Sequence, residues 1–251
     1  MKNIFSVSLV LLFFASCQES NTTKTVIEMP TEESTSETHL QDTLDQKKAN
    51  FELKASDEKK KIYAEGIAAV KASGITQSAL QVGDKAIDFK LKNATGQTVQ
   101  LYDELKKGPV ILTWYRGGWC PYCNITLHYL QEELPNFKKE GASLIALTPE
   151  TPDSSLSTIE KNALEFAVLS DLNNVVAKKY GIVFTLTPEV AEAYQSSFDL
   201  HAYNESKSNE LPMAATYIID EDGIIQYAFL HEDYRNRAEP SEILKALKKI
   251  K

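Results

Sequence analysis

Between residues 109 and 124 the chain reads PVILTWYRGGWCPYCN, and this stretch restricts the fold more tightly than any other. Val110 to Tyr115 is an apolar run of the length of one fully buried strand. Gly117-Gly118 then permit a tight turn, or a close approach of backbone to a bound group. Cys120-Pro121-Tyr122-Cys123 follows, and Ile125 to Phe137 continue with apolar residues at helical spacing. A buried strand, a turn and a helix start place both thiols where a helix N-terminus offers free N–H groups and partial positive charge. That field favours thiolate over thiol, and the thiolate is the nucleophile.

The first seventeen residues are of a different kind. Lys2, the apolar run Ile4 to Ala15 and the exit Ala15-Ser16-Cys17 have the build of a secretory signal and are too short to span a bilayer comfortably. The exit resembles the bacterial lipoprotein box, which implies lipidation of Cys17 and an exported protein held on a membrane of the cell envelope. The alternative is ordinary cleavage near Ser16, leaving a spare thiol. Residues 18–55 contain much Ser, Thr, Glu, Gln and Asp, too little apolar surface to offset their ordering entropy, and read as a disordered tether. Residues 56–251 remain as one domain with a full core. A net charge of −8 and the lack of a basic cluster argue against nucleic acid as a partner.

Within that domain, residues 57–73 read as an extra N-terminal helix stopped by Gly74. Phe89 to Lys92 and Thr98 to Leu101 alternate around a Gly96 turn as a hairpin, and Tyr102 to Lys107 as a short helix. Ser143 to Leu147 is a second buried strand and Phe166 to Leu169 a third. Ser154 to Ala163, begun by Asp153, and Asn173 to Tyr180, stopped by Gly181, read as helices. Residues 185–210 read as a helical insertion followed by a loop. Thr216 to Ile219 and Ile224 to Phe229 flank Asp220-Glu221-Asp222-Gly223 as a hairpin, and a helix from about Ser241 to Ile250 closes the chain. Strands alternating with helices, then an antiparallel pair, describe an α/β fold of thioredoxin type, with a central mixed sheet flanked by helices.

Three cysteines constrain the chemistry. With Cys17 spent on lipid, the domain has only the Cys120–Cys123 pair for a disulfide. A bond closing a two-residue loop stabilises little through chain entropy, so redox chemistry explains the pair better than stapling does. One CxxC supplies two metal ligands, and His39, His128, His201 and His231 show no tight metal pairing. No flavin, haem or nicotinamide site is indicated, and no cofactor is expected.

Three blocks, Val82 to Phe89 (VGDKAIDF), Trp114 to Asn124 (WYRGGWCPYCN) and Ala215 to Gly223 (ATYIIDEDG), resemble the peroxiredoxin-like branch of the alkyl hydroperoxide reductase/thiol-specific antioxidant family. The resemblance runs from about residue 80 to 247. It implies a thioredoxin fold, reduction of peroxides by a cysteine, and re-reduction by a thioredoxin-like partner. It carries the peroxide-attacking role onto Cys123, and Cys120 stands where that family usually has a threonine. The arginine that usually completes the peroxide site from a later strand falls on Ala214. Arg116, seven residues before Cys123, is the nearest candidate cation, and Arg235 and Arg237 after the last strand are candidates to replace the absent arginine; the ordinary reading of each is a solvent-exposed charge. Cys-Pro-Tyr-Cys is also the glutaredoxin dithiol sequence, in which the first cysteine, here Cys120, attacks, while Pro212 lies two residues from where such folds place a cis-proline. Trp119 beside Cys120 is a candidate shield for the thiols.

Three functions follow from these residues: a thiol peroxidase, an exported thiol–disulfide oxidoreductase acting on protein disulfides, and a non-catalytic binding module on a thioredoxin scaffold. Peroxide consumption separates the first from the second, and an unreactive pair would mark the third.

Overall fold

A computed structural model describes residues 39–250 of the chain. The leader, Cys17 and the first part of the expected tether therefore lie outside the described residues. Two helices come first, α1 (Leu40–Lys54) and α2 (Asp57–Ala72), then the single turn α3 (Ile75–Ser78). The hairpin β1 (Lys90–Lys92) and β2 (Thr98–Gln100) and the short α4 (Leu101–Leu105) precede the main sheet. Two parallel crossover units follow, β3 (Val110–Trp114), α5 (Pro121–Lys139), β4 (Ser143–Thr148), α6 (Pro152–Asn162) and β5 (Ala167–Ser170). Next come α7 (Val175–Lys179), β6 (Val183–Thr185), α8 (Pro188–Phe198), α9 (Leu200–Asn204) and β7 (Glu210–Pro212). The antiparallel pair β8 (Thr216–Ile219) and β9 (Ile225–Phe229) and the helix α10 (Pro240–Leu247) close the domain.

The central sheet has the order β5-β4-β3-β8-β9, with β3, β4 and β5 parallel and β8 antiparallel to both its neighbours. All five residues of β3 are buried. Val110, Leu112 and Trp114 join the core layer of Tyr180 and Tyr217, whereas Ile111 joins the layer of Leu127 and Phe137 from α5. This is the alternation a pleated strand imposes, and the two layers account for the unbroken apolar run in the sequence. The C-terminal end of β3 leads straight into the cysteine turn, so the dithiol sits outside the carboxyl end of the central strand, where open α/β sheets bind ligands.

The α/β sheet, the N-terminal hairpin and the helix at 57–72 follow the sequence expectation. Residues 40–54 do not: they form α1 instead of continuing a tether. Leu40 and Leu44 have no exposed surface and pack in the layer of α5 and α10. The carboxylate of Glu239 accepts N–H bonds from Leu40 at 2.9 Å and Gln41 at 3.2 Å, so it caps the helix from 199 residues away. The Thr43 and Tyr129 hydroxyls lie 2.6 Å apart and fasten the same helix to α5. A composition reading misses such a helix because two apolar side chains and a distant cap hold it.

Three smaller differences concern ends. α6 starts at Pro152 with Thr151 accepting from the Ser154 amide, not at Asp153. Asn173 and Asn174 adopt left-handed backbone at φ 59° and 57°, so α7 starts only at Val175. The region 185–210 holds α8 and α9 as expected, but its two ends also pair, Val183–Thr185 against Glu210–Pro212 as β6 and β7.

Candidate active site

Cys120 is the N-cap of α5, Pro121 holds the first helical position, and Cys123 lies in the first turn. Both cysteines are free thiols and both are 1% exposed. They differ in access: Cys120 lines a groove of about 600 Å³, and Cys123 is not among its lining residues.

The Gly-Gly turn owes its composition to the protein's own side chains. A Cβ on Gly117, at φ 149°, would lie 2.2 Å from the Trp119 indole nitrogen, and one on Gly118 would lie 2.1 Å from the Thr158 hydroxyl. The close approach that the sequence suggested is therefore one of protein to protein. Asn124 donates to the Gly118 carbonyl at 2.7 Å, and Asn162 donates to Asn124 at 3.1 Å, which ties the turn to α6.

Two arginines that read as ordinary solvent-exposed charges are buried. Arg237 is 6% exposed and its Nη2 donates to the Cys123 Sγ at 3.5 Å. The other nitrogen of its fork is held by the carbonyls of Tyr234 and Asn236. Arg116 is 1% exposed and donates to the Tyr194 hydroxyl at 2.6 Å. Its guanidinium carbon lies 4.1 Å from the Tyr234 ring, 5.0 Å from Trp119 and 5.3 Å from Tyr194, an aromatic cage that stabilises a cation. Among the described residues no carboxylate pairs with Arg116, and its Nε and Nη1 have no hydrogen-bond partner. Arg235 is different: it pairs with Asp233 at 2.8 Å and does not serve the thiols.

These charges separate the acidities of the two thiols. For Cys123, burial opposes ionisation, but the hydrogen bond from the Cys120 thiol, the charges of Arg237 and Arg116 and the Arg116 backbone outweigh it. The Cys123 thiol is held well below its ordinary range. Burial pushes the Cys120 thiol well above that range, and donation to Cys123 and the charge there push it further, with the two arginines offsetting only part. The two effects point the same way, toward a thiolate at Cys123 and a thiol at Cys120.

Glu150 is a residue the sequence reading did not single out. It follows β4, is fully buried, and accepts the Gly118 N–H at 2.8 Å through Oε1, while Oε2 has no partner. Burial pushes its carboxyl from 4.5 to about 7, against the pull of the Gly118 amide, and the Cys123 charge adds to the rise. The signal was a carboxylate directly after a buried strand, in Thr148-Pro149-Glu150. Because the folded state holds this proton up to about pH 7 and the unfolded state releases it near 4.5, stability falls as pH rises across that window. Glu150→Gln is expected to abolish that part of the slope, worth on the order of 3 kcal/mol at pH 8. Denaturant midpoints of the two proteins from pH 4 to 8 check it, and parallel curves would contradict it.

Of the expected site residues, Cys120, Cys123 and Arg116 are brought together. Trp119 lies over the site edge, stacked on Phe198 at 4.5 Å between ring centres. Pro212 is buried in β7, and no peptide bond among the described residues is cis. His128 is on the exposed face of α5, 3.3 Å from Glu132, and no group of three or more His, Cys, Asp or Glu is gathered to hold a metal among the described residues.

A thioredoxin-type sheet that presents a buried dithiol at a helix N-terminus defines a thiol-redox protein. The chain belongs to the AhpC/TSA family, whose model matches residues 82–228. It is 30% identical over 105 residues to the putative peroxiredoxin bcp of Buchnera aphidicola, covering 42% of this chain and 66% of that one. It is 28% identical over 108 residues to the thiol-disulfide oxidoreductase ResA of Bacillus cereus, covering 43% of this chain and 61% of that one. The chain thus spans less than two thirds of the length of either relative. Among solved structures, the peroxidoxin BcpB of Mycobacterium tuberculosis superposes with a TM-score of 0.55 at 20% identity, covering 68% of this chain and 99% of that one, a likeness of fold.

Proposed function

We propose that the protein is a thiol peroxidase that reduces hydrogen peroxide or organic hydroperoxides through Cys123 and Cys120. The observation that carries this reading is the Arg237 guanidinium 3.5 Å from the Cys123 sulfur, in a chain whose usual arginine position is Ala214. The Cys123 thiolate attacks one peroxide oxygen, forming an S–O bond as the O–O bond breaks. Arg116, whose Nε and Nη1 have no hydrogen-bond partner among the described residues, holds the peroxide oxygens and stabilises the charge on the departing one. The Cys120 thiol, beside Cys123 at the start of α5, supplies the proton that lets the second oxygen leave as water or alcohol. Cys120, now a thiolate, displaces hydroxide from the Cys123 sulfenic acid, giving the disulfide, and the hydroxide takes a proton to become water. An external dithiol of thioredoxin type returns both thiols. Reduced protein mixed with hydrogen peroxide is expected to consume one equivalent rapidly and to end as the intramolecular disulfide. Slow consumption beside fast exchange with protein disulfides would favour the second reading, a thiol–disulfide oxidoreductase, which is supported by Cys120 alone lining the groove.

The membrane anchor belongs to the same proposal and rests on the sequence of the leader. Cys17→Ser is expected to move the protein from the membrane fraction to the soluble fraction with peroxide consumption intact. Retention of that variant on membranes would overturn the anchor.

A further inference from the structure

Arg116 lines two spaces, the groove over Cys120 and a separate cavity of about 20 Å³ between α2, α8 and the loop after β9. Neither thiol lines the smaller one. Most of its wall is apolar, with Ile67 and Val70 from α2, Phe184 from β6 and Val190 from α8. A Cβ on Gly66 would lie 2.7 Å from the Val190 side chain, so the two helices are already in contact beside it. Two sources of positive charge reach this space. Arg116 is 1% exposed, and its Nε and Nη1 have no hydrogen-bond partner among the described residues. The eleven-residue helix α8 starts at the cavity edge, where its N-cap Thr187 is a lining residue, so the positive end of the helix faces the same space. Glu232 is the one acid in the lining, and it is engaged by Lys71 at 3.8 Å and His231 at 4.0 Å instead of by Arg116. The Cys123 thiolate is then the counter-charge that Arg116 and Arg237 share, and a disulfide supplies none. A buried cation without a counter-charge is costly.

We propose that this cavity is a halide site, in which chloride is held by Arg116 and the N-terminus of α8 and acts as the second counter-ion of the buried arginines. The volume selects the class of ligand, because it has room for one water-sized occupant. A halide ion is little larger than a water molecule, whereas sulfate, phosphate and carboxylates are several times larger. The apolar wall favours an ion that gives up its hydration readily, which places bromide ahead of chloride and fluoride last. The site is also linked to the dithiol. The Cys123 thiolate and the halide draw on the same guanidinium charge, and disulfide formation removes the thiolate. Chloride therefore binds the disulfide form more tightly and, by reciprocity, favours that form.

The test follows the line width of the chloride NMR signal with full-length protein in its dithiol and disulfide forms at neutral pH. Saturable broadening is expected, reversed by bromide and not by sulfate at equal ionic strength, with the disulfide form binding about tenfold more tightly. Arg116→Gln is expected to abolish the broadening. Val190→Phe, which puts a ring into the cavity and leaves Arg116 in place, is expected to abolish it as well, with circular dichroism showing that each variant is folded. The wild-type comparison of bromide with sulfate decides the matter if neither variant folds. No saturable broadening in the wild type, the result of a water bridging Arg116 to Glu232, would overturn the halide site. Displacement by sulfate as effective as by bromide, or full broadening in a folded Arg116→Gln, would overturn it too, and equal affinity of the two redox forms would overturn the link to the dithiol. None of these readouts needs peroxide turnover, so a protein that binds chloride but does not consume peroxide would keep this site and lose the peroxidase reading.

Discussion

Cys123→Ser abolishes peroxide consumption, and Cys120→Ser consumes a first equivalent but does not turn over: that is the expected outcome of the split between the two thiols. Serine at 123 removes the attacking sulfur and leaves only Cys120, whose thiol burial pushes up, so loss of about four orders of magnitude or more in rate is expected, down to the solution background. Serine at 120 keeps a hydroxyl donor beside Cys123 but removes the sulfur that condenses with the sulfenic acid. That variant accumulates sulfenic acid, moves on to sulfinic acid with excess peroxide, and turns over only if a small thiol is added. Mass spectrometry of both variants after one and ten equivalents of peroxide distinguishes these products. The reverse pattern, a dead Cys120→Ser and a Cys123→Ser that traps mixed disulfides with other proteins, would establish the oxidoreductase reading.

The second large effect belongs to Arg237. Among the described residues, its N–H is the only side-chain hydrogen bond to the Cys123 sulfur from outside the dithiol. Arg237→Met keeps most of the side-chain volume and removes the charge. The Cys123 thiol then rises toward its ordinary value, and with only a few per cent thiolate at neutral pH the peroxide rate falls roughly ten- to hundredfold. The loss is expected to be smaller at pH 9 than at pH 7, because deprotonation by bulk base substitutes for the missing charge. Arg237→Lys is expected to recover part of the rate. A uniform loss at every pH would show that Arg237 acts on folding or on peroxide geometry instead of on thiol acidity.

The sheet was legible because burial leaves a simple trace in a sequence: β3, β4, β8 and β9 are short apolar runs between turn signals, and the CxxC opens a helix with a clear apolar face. The dithiol was legible for the same reason. What surrounds it was not. Arg116 and Arg237 could be named as candidates but not shown to be buried, since burial of a guanidinium depends on rings and carbonyls that the fold gathers from α8 and the loop after β9. Glu150 was hidden in the same way, its one partner being an amide 32 residues earlier. α1 was hidden because its polar composition outweighs Leu40 and Leu44, although their i, i+4 spacing is the trace a helix leaves. Long-range electrostatics and packing, absent from local pattern, decide both the acidity of the thiols and the shape of the groove.

The central claim is that two adjacent thiols differ sharply in acidity, with Cys123 the thiolate. Ultraviolet absorbance of thiolate during a pH titration of the reduced protein tests it directly, alongside the two single serine variants. The wild type should show one thiolate formed well below the ordinary thiol value and a second only well above it, with the acidic step lost in Cys123→Ser and kept in Cys120→Ser. An acidic step that survives in Cys123→Ser, or two thiols titrating together near the ordinary value, would contradict it.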